Sequence, residues 1–186
     1  MDISAHPKQF KVSDFSTVNL TSGVGRKLSH NDLENSCAIP VGNVNKNSGI
    51  FIFSLTCPFS EKAFITQVVP MLRSGKSMVM ANFIRNDYDL NIWIRLAKIK
   101  AAYRMSVVSA LYKYEFDGRI STEFDGQRKN YNDIQEMLDK ILSNVPIDKV
   151  NASYTPERAA ISSLVTTAGL NQLYGVTATP YMGNVK

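Results

Sequence analysis

Cysteine is scarce in this chain: its 186 residues contain two, Cys37 and Cys57. Two thiols exclude a disulfide framework and are too few for a zinc site without histidine help. Histidine is equally scarce, and His6 and His30 both lie in the N-terminal region without metal-ligand spacing. They read as solvated surface residues, so no metal is expected. No apolar run approaches the roughly 18–20 residues of a membrane-spanning helix, so no membrane span is expected. The start, Met1-Asp2-Ile3-Ser4-Ala5-His6, lacks a basic segment followed by an apolar run, and so shows no signal peptide. That leaves a cytosolic chain or a mature one with an added start Met. The net charge is +5, but the basic residues are scattered and form no dense run. This argues against a nucleic-acid partner.

What is present is ordinary for one globular domain: 44% apolar and 20% charged residues. Gln9–Phe15 alternates weakly and predicts an edge strand. Residues 16–49 are rich in Ser, Asn and Gly and read as mostly irregular, with room for one short hidden element. Ile50-Phe51-Ile52-Phe53-Ser54-Leu55 is a nearly continuous apolar run, the pattern of a buried central strand. Helix is predicted from Glu61 to about Leu72, kinked or stopped by Pro70 and broken at Gly75. Met78–Ile84 reads as the next strand, which makes a parallel crossover unit.

Asp87 and Asp89 are candidate N-caps for a helix whose apolar positions are Leu90, Trp93, Ile94 and Ala97. Helical character continues, with a break, through Val107, Val108 and Leu111 to Tyr114. Asp117-Gly118 and Asp125-Gly126 are turn signals, and Asn132–Leu142 is a further helix ended before Pro146. Thr155-Pro156-Glu157 starts the last helix, with Ile161, Leu164, Val165 and Ala168 on one face and Gly175 as its stop. The chain from Val176 to Met182 is read as extended.

Two short segments carry chemistry. Cys57-Pro58-Phe59-Ser60 lies between a buried strand and a helix, where the positive end of the helix dipole favours a thiolate. A thiolate is the species that attacks a disulfide. The segment fits equally a small buried core cysteine. Gly175-Val176-Thr177-Ala178-Thr179-Pro180 fits a helix stop followed by an X-Pro turn.

Taken in order, these parts resemble the DsbA-like family. The order is strand, Cys-Pro-x-x, kinked helix, strand, long helical region, and a helix leading into Gly-Val-x-x-Thr-Pro. The resemblance covers roughly residues 50–182. It implies an α/β thioredoxin-like fold with an inserted helical domain. Residues 1–49 would form an N-terminal segment, 50–86 and 150–186 the thioredoxin-like part, and 87–149 the helical insertion. It also implies that Cys57 is the nucleophilic thiol and that Pro180 is a cis-proline packed beside it. Thr179 would present backbone groups to a partner strand, a form of β-augmentation, with Pro58 and Phe59 beside the partner.

The chain departs from the family in three places. Ser60 stands where the family usually has a resolving cysteine, either as an engineered trap or as a natural monothiol site. Phe59 stands where the strongest oxidants often have His, so Cys57 is expected to be less acidic than in those relatives. The family would continue beyond the end of this sequence with a further strand and a closing helix. The resemblance implies thiol–disulfide exchange on partner proteins in a periplasmic or other extracytoplasmic compartment. It calls for no cofactor; its partners would be proteins with thiols or disulfides and a redox partner protein. From a different class, the chain reads as a non-catalytic binding or scaffold module of an envelope assembly. A glutathione-using transferase, with Ser60 or Cys57 facing glutathione, is a third reading. Cys37 is either an isolated thiol or an unusual resolving partner for Cys57, which disulfide geometry allows only with Cα atoms within about 7 Å.

Overall fold

The structure, a computed structural model, describes residues 1–17, 38–115 (backbone only at 113–115) and 131–185. Gly49-Ile50-Phe51-Ile52-Phe53 has no side chain that needs water, and it forms the fully buried strand β2 (Gly49–Phe53). The equally buried β3 (Met78–Asn82) pairs with it in parallel. A parallel pair needs a crossover, and here it is helical. It consists of α1 (Pro58–Ala63), a π-helical turn over Phe64–Val68, and α2 (Val69–Arg73).

Pro70, expected from its position to kink or stop the helix, does not stop this crossover. The hydrogen bonding shifts just before it: the Val69 N–H reaches back five residues to the Phe64 carbonyl. Proline has no N–H to donate and its ring crowds the preceding turn, so a π turn lets the helix continue through it. The chain leaves the helix at Gly75, at φ +88°, a conformation that glycine adopts without a Cβ penalty.

β1 (Ile39–Val41) pairs antiparallel with β3, and β4 (Tyr181–Asn184) pairs antiparallel with β2, giving the sheet order β1-β3-β2-β4. The outer strand beside β3 is therefore Ile39–Val41, not the predicted Gln9–Phe15. That earlier segment ends in a single 3-10 turn, Val12–Phe15. Its N–H groups are taken by side chains rather than by a strand: Phe10 donates to Asn91 Oδ1 and Val12 to Asp87 Oδ1. Phe10 and Phe15 are buried with ring centroids 5.5 Å apart, so burial of these two rings fixes the segment. Residues 18–37 of the stretch read as irregular lie outside the described residues, as do the turn signals at Asp117 and Asp125.

Alternation along the strands divides the core. Phe51, Phe53, Met78 and Met80 join a cluster with Leu90, Trp93, Leu111, Ile134 and Leu138. Ile50, Ile52, Val79 and Ala81 face a second cluster with Leu170 and Val176. The helices that contribute are α3 (Asp87–Leu96), α4 (Arg104–Glu115), α5 (Tyr131–Leu142) and α6 (Pro156–Tyr174). A 3-10 turn, Ala101–Tyr103, separates α3 from α4.

Neither Asp87 nor Asp89 caps α3. Asn86 does, its Oδ1 accepting the Asp89 N–H at 2.9 Å. The two aspartates occupy the first turn, and the Asp89 carboxylate is engaged elsewhere. α6 begins as its sequence indicates, with Thr155 Oγ1 accepting the Arg158 N–H at 3.2 Å and Pro156 in the first turn. It ends at Gly175, at φ +63°. Its buried face is Ala159, Ala160, Ser163, Leu164, Thr166 and Leu170; of the predicted face only Leu164 is fully buried. α6 packs on α3, and small side chains allow two helix axes to approach closely. Ser163 and Thr166 can be buried because their hydroxyls donate back to the Ala159 and Ser162 carbonyls. Among the described residues no helix is long and apolar enough to cross a membrane.

Candidate functional site

The chain leaves β2 at Phe53 and turns at once. The Cys57 N–H closes that turn on the Ser54 carbonyl at 3.0 Å. Cys57 is the N-cap of α1, extended at φ −95° and ψ 117°, and Pro58 takes the first helical position. Proline suits that position because its missing N–H would be unpaired there in any case. The sulfur therefore sits where the first-turn amides converge.

Cys57 carries a free thiol and is only 6% exposed. Its Sγ donates to the Thr179 carbonyl oxygen at 3.6 Å, joining two segments separated by 122 positions. The Thr179–Pro180 peptide bond is cis. Four residues singled out in the sequence thus meet at one point: Cys57 and Ser60 from the start of α1, Thr179 and Pro180 from the segment before β4. Pro58, Thr179 and Pro180 are half-buried, Ser60 is fully buried, and the Phe59 ring stands out from the surface at 64% exposure. Cys37 and His30 lie outside the described residues. His6 sits away from the thiol, with Nε2 2.7 Å from Asp139 Oδ1.

Burial pushes the Cys57 thiol up, and four hydrogen-bonding groups outweigh it. The Thr179 and Ser60 side chains and the Ser60 and Phe59 amides bring the thiol below its ordinary value of 9.0. The Phe59 side chain brings no donor of its own, but its backbone N–H does. Among the described residues the buried Thr179 hydroxyl has no geometric hydrogen-bond partner. Ser60 is anchored: its Oγ accepts the Ser54 N–H at 3.1 Å, which leaves its own proton for the sulfur.

Beneath the turn lies a polar group that the sequence reading missed. Asp89 Oδ1 accepts from the Ser54 and Thr56 hydroxyls at 2.9 and 3.2 Å. Asp89 Oδ2 accepts the Arg85 backbone N–H at 2.9 Å and pairs with Arg85 Nε at 3.2 Å. Arg85 Nη2 reaches back to the same two hydroxyls at 3.0 and 2.9 Å. The Asp89 side chain is 1% exposed and that of Arg85 26%. This closed group clamps Ser54-Leu55-Thr56, the three residues that aim Cys57. The signal available in the sequence was an arginine and an aspartate four apart at a helix start, directly after a buried strand. Among the described residues no three metal-ligating side chains gather at one point.

No protein-family model matches this chain, and no curated protein sequence matches it. Among solved structures, the protein-disulfide isomerase from Novosphingobium aromaticivorans is similar in fold. It has a TM-score of 0.50 and 15% identity, with 78% of this chain and 85% of that chain covered. The likeness is one of architecture: a mixed α/β, thioredoxin-like arrangement with a four-stranded sheet.

Proposed function

We propose that this chain is a DsbA-like protein that exchanges thiols and disulfides with partner proteins through Cys57. One observation carries the reading: the sulfur at the start of α1 lies 3.6 Å from the carbonyl oxygen of Thr179, which brings together two segments 122 positions apart. In the reaction the Cys57 thiolate attacks one sulfur of a partner disulfide. A bond forms between Cys57 and that sulfur, and the partner's other sulfur leaves as a thiolate that takes up a proton. Thr179 would offer backbone groups to an extended partner segment, with Pro58 and the exposed Phe59 ring beside it. Residues 87–149 would act as the helical insertion of the fold, and the compartment would be periplasmic or otherwise extracytoplasmic.

Ser60 limits the cycle, because a hydroxyl cannot displace Cys57 from a mixed disulfide. Release then requires an external thiol, from the partner or from a small reductant. The same features favour a second reading, a binding or scaffold module. Cys57 is 6% exposed, and the Ser60 hydroxyl is already bound to backbone. The two are separated by treating the chain with an aromatic disulfide and with an oxidised protein, then following turnover in insulin reduction. Exchange predicts a stable mixed disulfide on Cys57 and turnover gained by Ser60→Cys. A folded Ser60→Cys variant with no turnover, together with a Cys57 that resists alkylation at neutral pH, leaves the binding module as the reading.

A further inference from the structure

We infer that Arg85 determines specificity at the Cys57 site, and that the partner segment it selects carries an aspartate or glutamate beside its reacting cysteine. The inference rests on the exchange reading above and adds to it the chemical class of the partner.

The argument begins with a count of donors. A guanidinium group has five N–H donors and no acceptor. In Arg85 the Nε–H donates to Asp89 Oδ2 at 3.2 Å, and Nη2 donates to Ser54 Oγ at 3.0 Å and to Thr56 Oγ1 at 2.9 Å. The donors on Nη1 meet no acceptor among the described residues. The ion pair is also asymmetric. The Asp89 carboxylate is buried while the Arg85 side chain reaches solvent, so the pair turns its positive end outward. Asp87, the other aspartate in the first turn of α3, accepts the Val12 N–H at 2.8 Å.

Position gives the open donors a use. Nη2 is held on Thr56, the residue before Cys57, so the guanidinium is anchored next to the thiol-bearing residue. In exchange the Cys57 thiolate bonds to one partner sulfur, and the partner's other sulfur leaves as a thiolate that takes up a proton. That step brings the residues flanking the attacked cysteine up to Thr56 and Arg85. An extended residue spans only about 3.3–3.6 Å, so a carboxylate on a flanking residue comes within reach of Nη1. A carboxylate suits this edge better than a carbonyl does, because its charge-assisted bond is about twice as strong as a neutral one. The bonds already holding Arg85 also leave it little freedom to lose. Asp89 offsets the arginine's charge at a distance, so the preference is an effect of contact rather than of net charge.

The test uses acetyl-Glu-Cys-Glu-amide and its Gln and Lys counterparts, each as the symmetric disulfide. Mixed-disulfide formation on Cys57 is followed in the full chain at constant ionic strength, by peptide-resolved mass spectrometry so that Cys37 is counted separately. Each rate is divided by that of N-acetylcysteinamide with the same peptide, which removes intrinsic reactivity. The Glu peptide should then exceed the Gln peptide by about two- to fivefold, the size of a partly exposed ion pair, and the Lys peptide should fall below both. Arg85→Gln/Asp89→Asn removes both charges together and leaves no buried carboxylate unpaired, and in it the Glu-to-Gln ratio should fall toward one. Arg85→Lys keeps a cation for Asp89 but has no Nη1, and should lose most of the ratio as well. A merely structural role would slow all three peptides alike. A wild-type ratio at or below one, or a ratio unchanged in either folded variant, would overturn the role of Arg85 while exchange at Cys57 stands. No adduct on Cys57 with any of the peptides would overturn the exchange reading and this inference with it.

Discussion

Ser60→Ala removes a single oxygen, and the structure states what that oxygen does. It accepts the Ser54 N–H at 3.1 Å in a fully buried setting, and it lowers the acidity threshold of Cys57. The first loss leaves a buried N–H without an acceptor, which costs about 1–3 kcal/mol of stability. The second removes a hydrogen bond to a charged acceptor, worth about 1.5 kcal/mol or more, or roughly tenfold in the thiol–thiolate equilibrium. Fewer thiolates does not mean a proportionally slower reaction, because a more basic sulfur is also the better nucleophile. With a Brønsted slope of about 0.4–0.5, a tenfold loss of thiolate becomes a roughly threefold loss of rate below the titration midpoint. The assay is alkylation of Cys57 by iodoacetamide, followed by peptide-resolved mass spectrometry so that Cys37 is counted separately. Measured from the acid to the alkaline side, the Ser60→Ala profile should move to higher pH, with a higher rate at its alkaline plateau. An unmoved profile, or one moved to lower pH in a folded variant, refutes the assignment of Ser60 as a donor to the sulfur.

Two further outcomes rest on ion pairs of different burial. Asp89→Ala strips the acceptor from Ser54, Thr56 and Arg85 at once. Removing one partner of a buried pair costs about 3–5 kcal/mol, with the lower end expected because Arg85 can reach water. A urea midpoint that implies a loss below about 1 kcal/mol would show that the clamp under Cys57 is slack. At Asp139, burial raises the carboxyl pKa, but hydrogen bonding and charge from Arg95 and then His6 prevail and hold it below the ordinary 3.8. A depressed acid stabilises the fold above its unfolded value, and that contribution disappears as pH falls through the folded value. Acid unfolding monitored below about pH 4 should therefore begin at higher pH in wild type than in Asp139→Asn relative to each protein's neutral-pH stability, because the variant has no such contribution to lose. The Asp139 side chain is 44% exposed, so the difference should be about 1 kcal/mol.

The sequence by itself determined the features whose cause is local. Gly49–Phe53 and Met78–Asn82 are strands because short apolar runs with no polar face can only be buried, and the interrupted helix between them makes the pair parallel. Thr155, Pro156 and Gly175 mark the ends of α6 through their own backbone chemistry: a hydroxyl cap, a fixed φ without an N–H, and a left-handed turn. Cys57 at a strand-to-helix junction is local in the same sense. Tertiary structure decided whatever depends on a distant partner. Phe10 and Val12 gave up strand pairing because Asn91 and Asp87 accept their N–H groups. Asp89 was freed from capping because Asn86 does it, so its carboxylate could tie Arg85 to Ser54 and Thr56. α6 buries its small residues rather than Ile161 and Val165 because another helix lies against that face. Composition and periodicity record what each segment can do alone, whereas a hydrogen bond across 122 positions, such as that from Cys57 to Thr179, exists only once packing has brought both ends together.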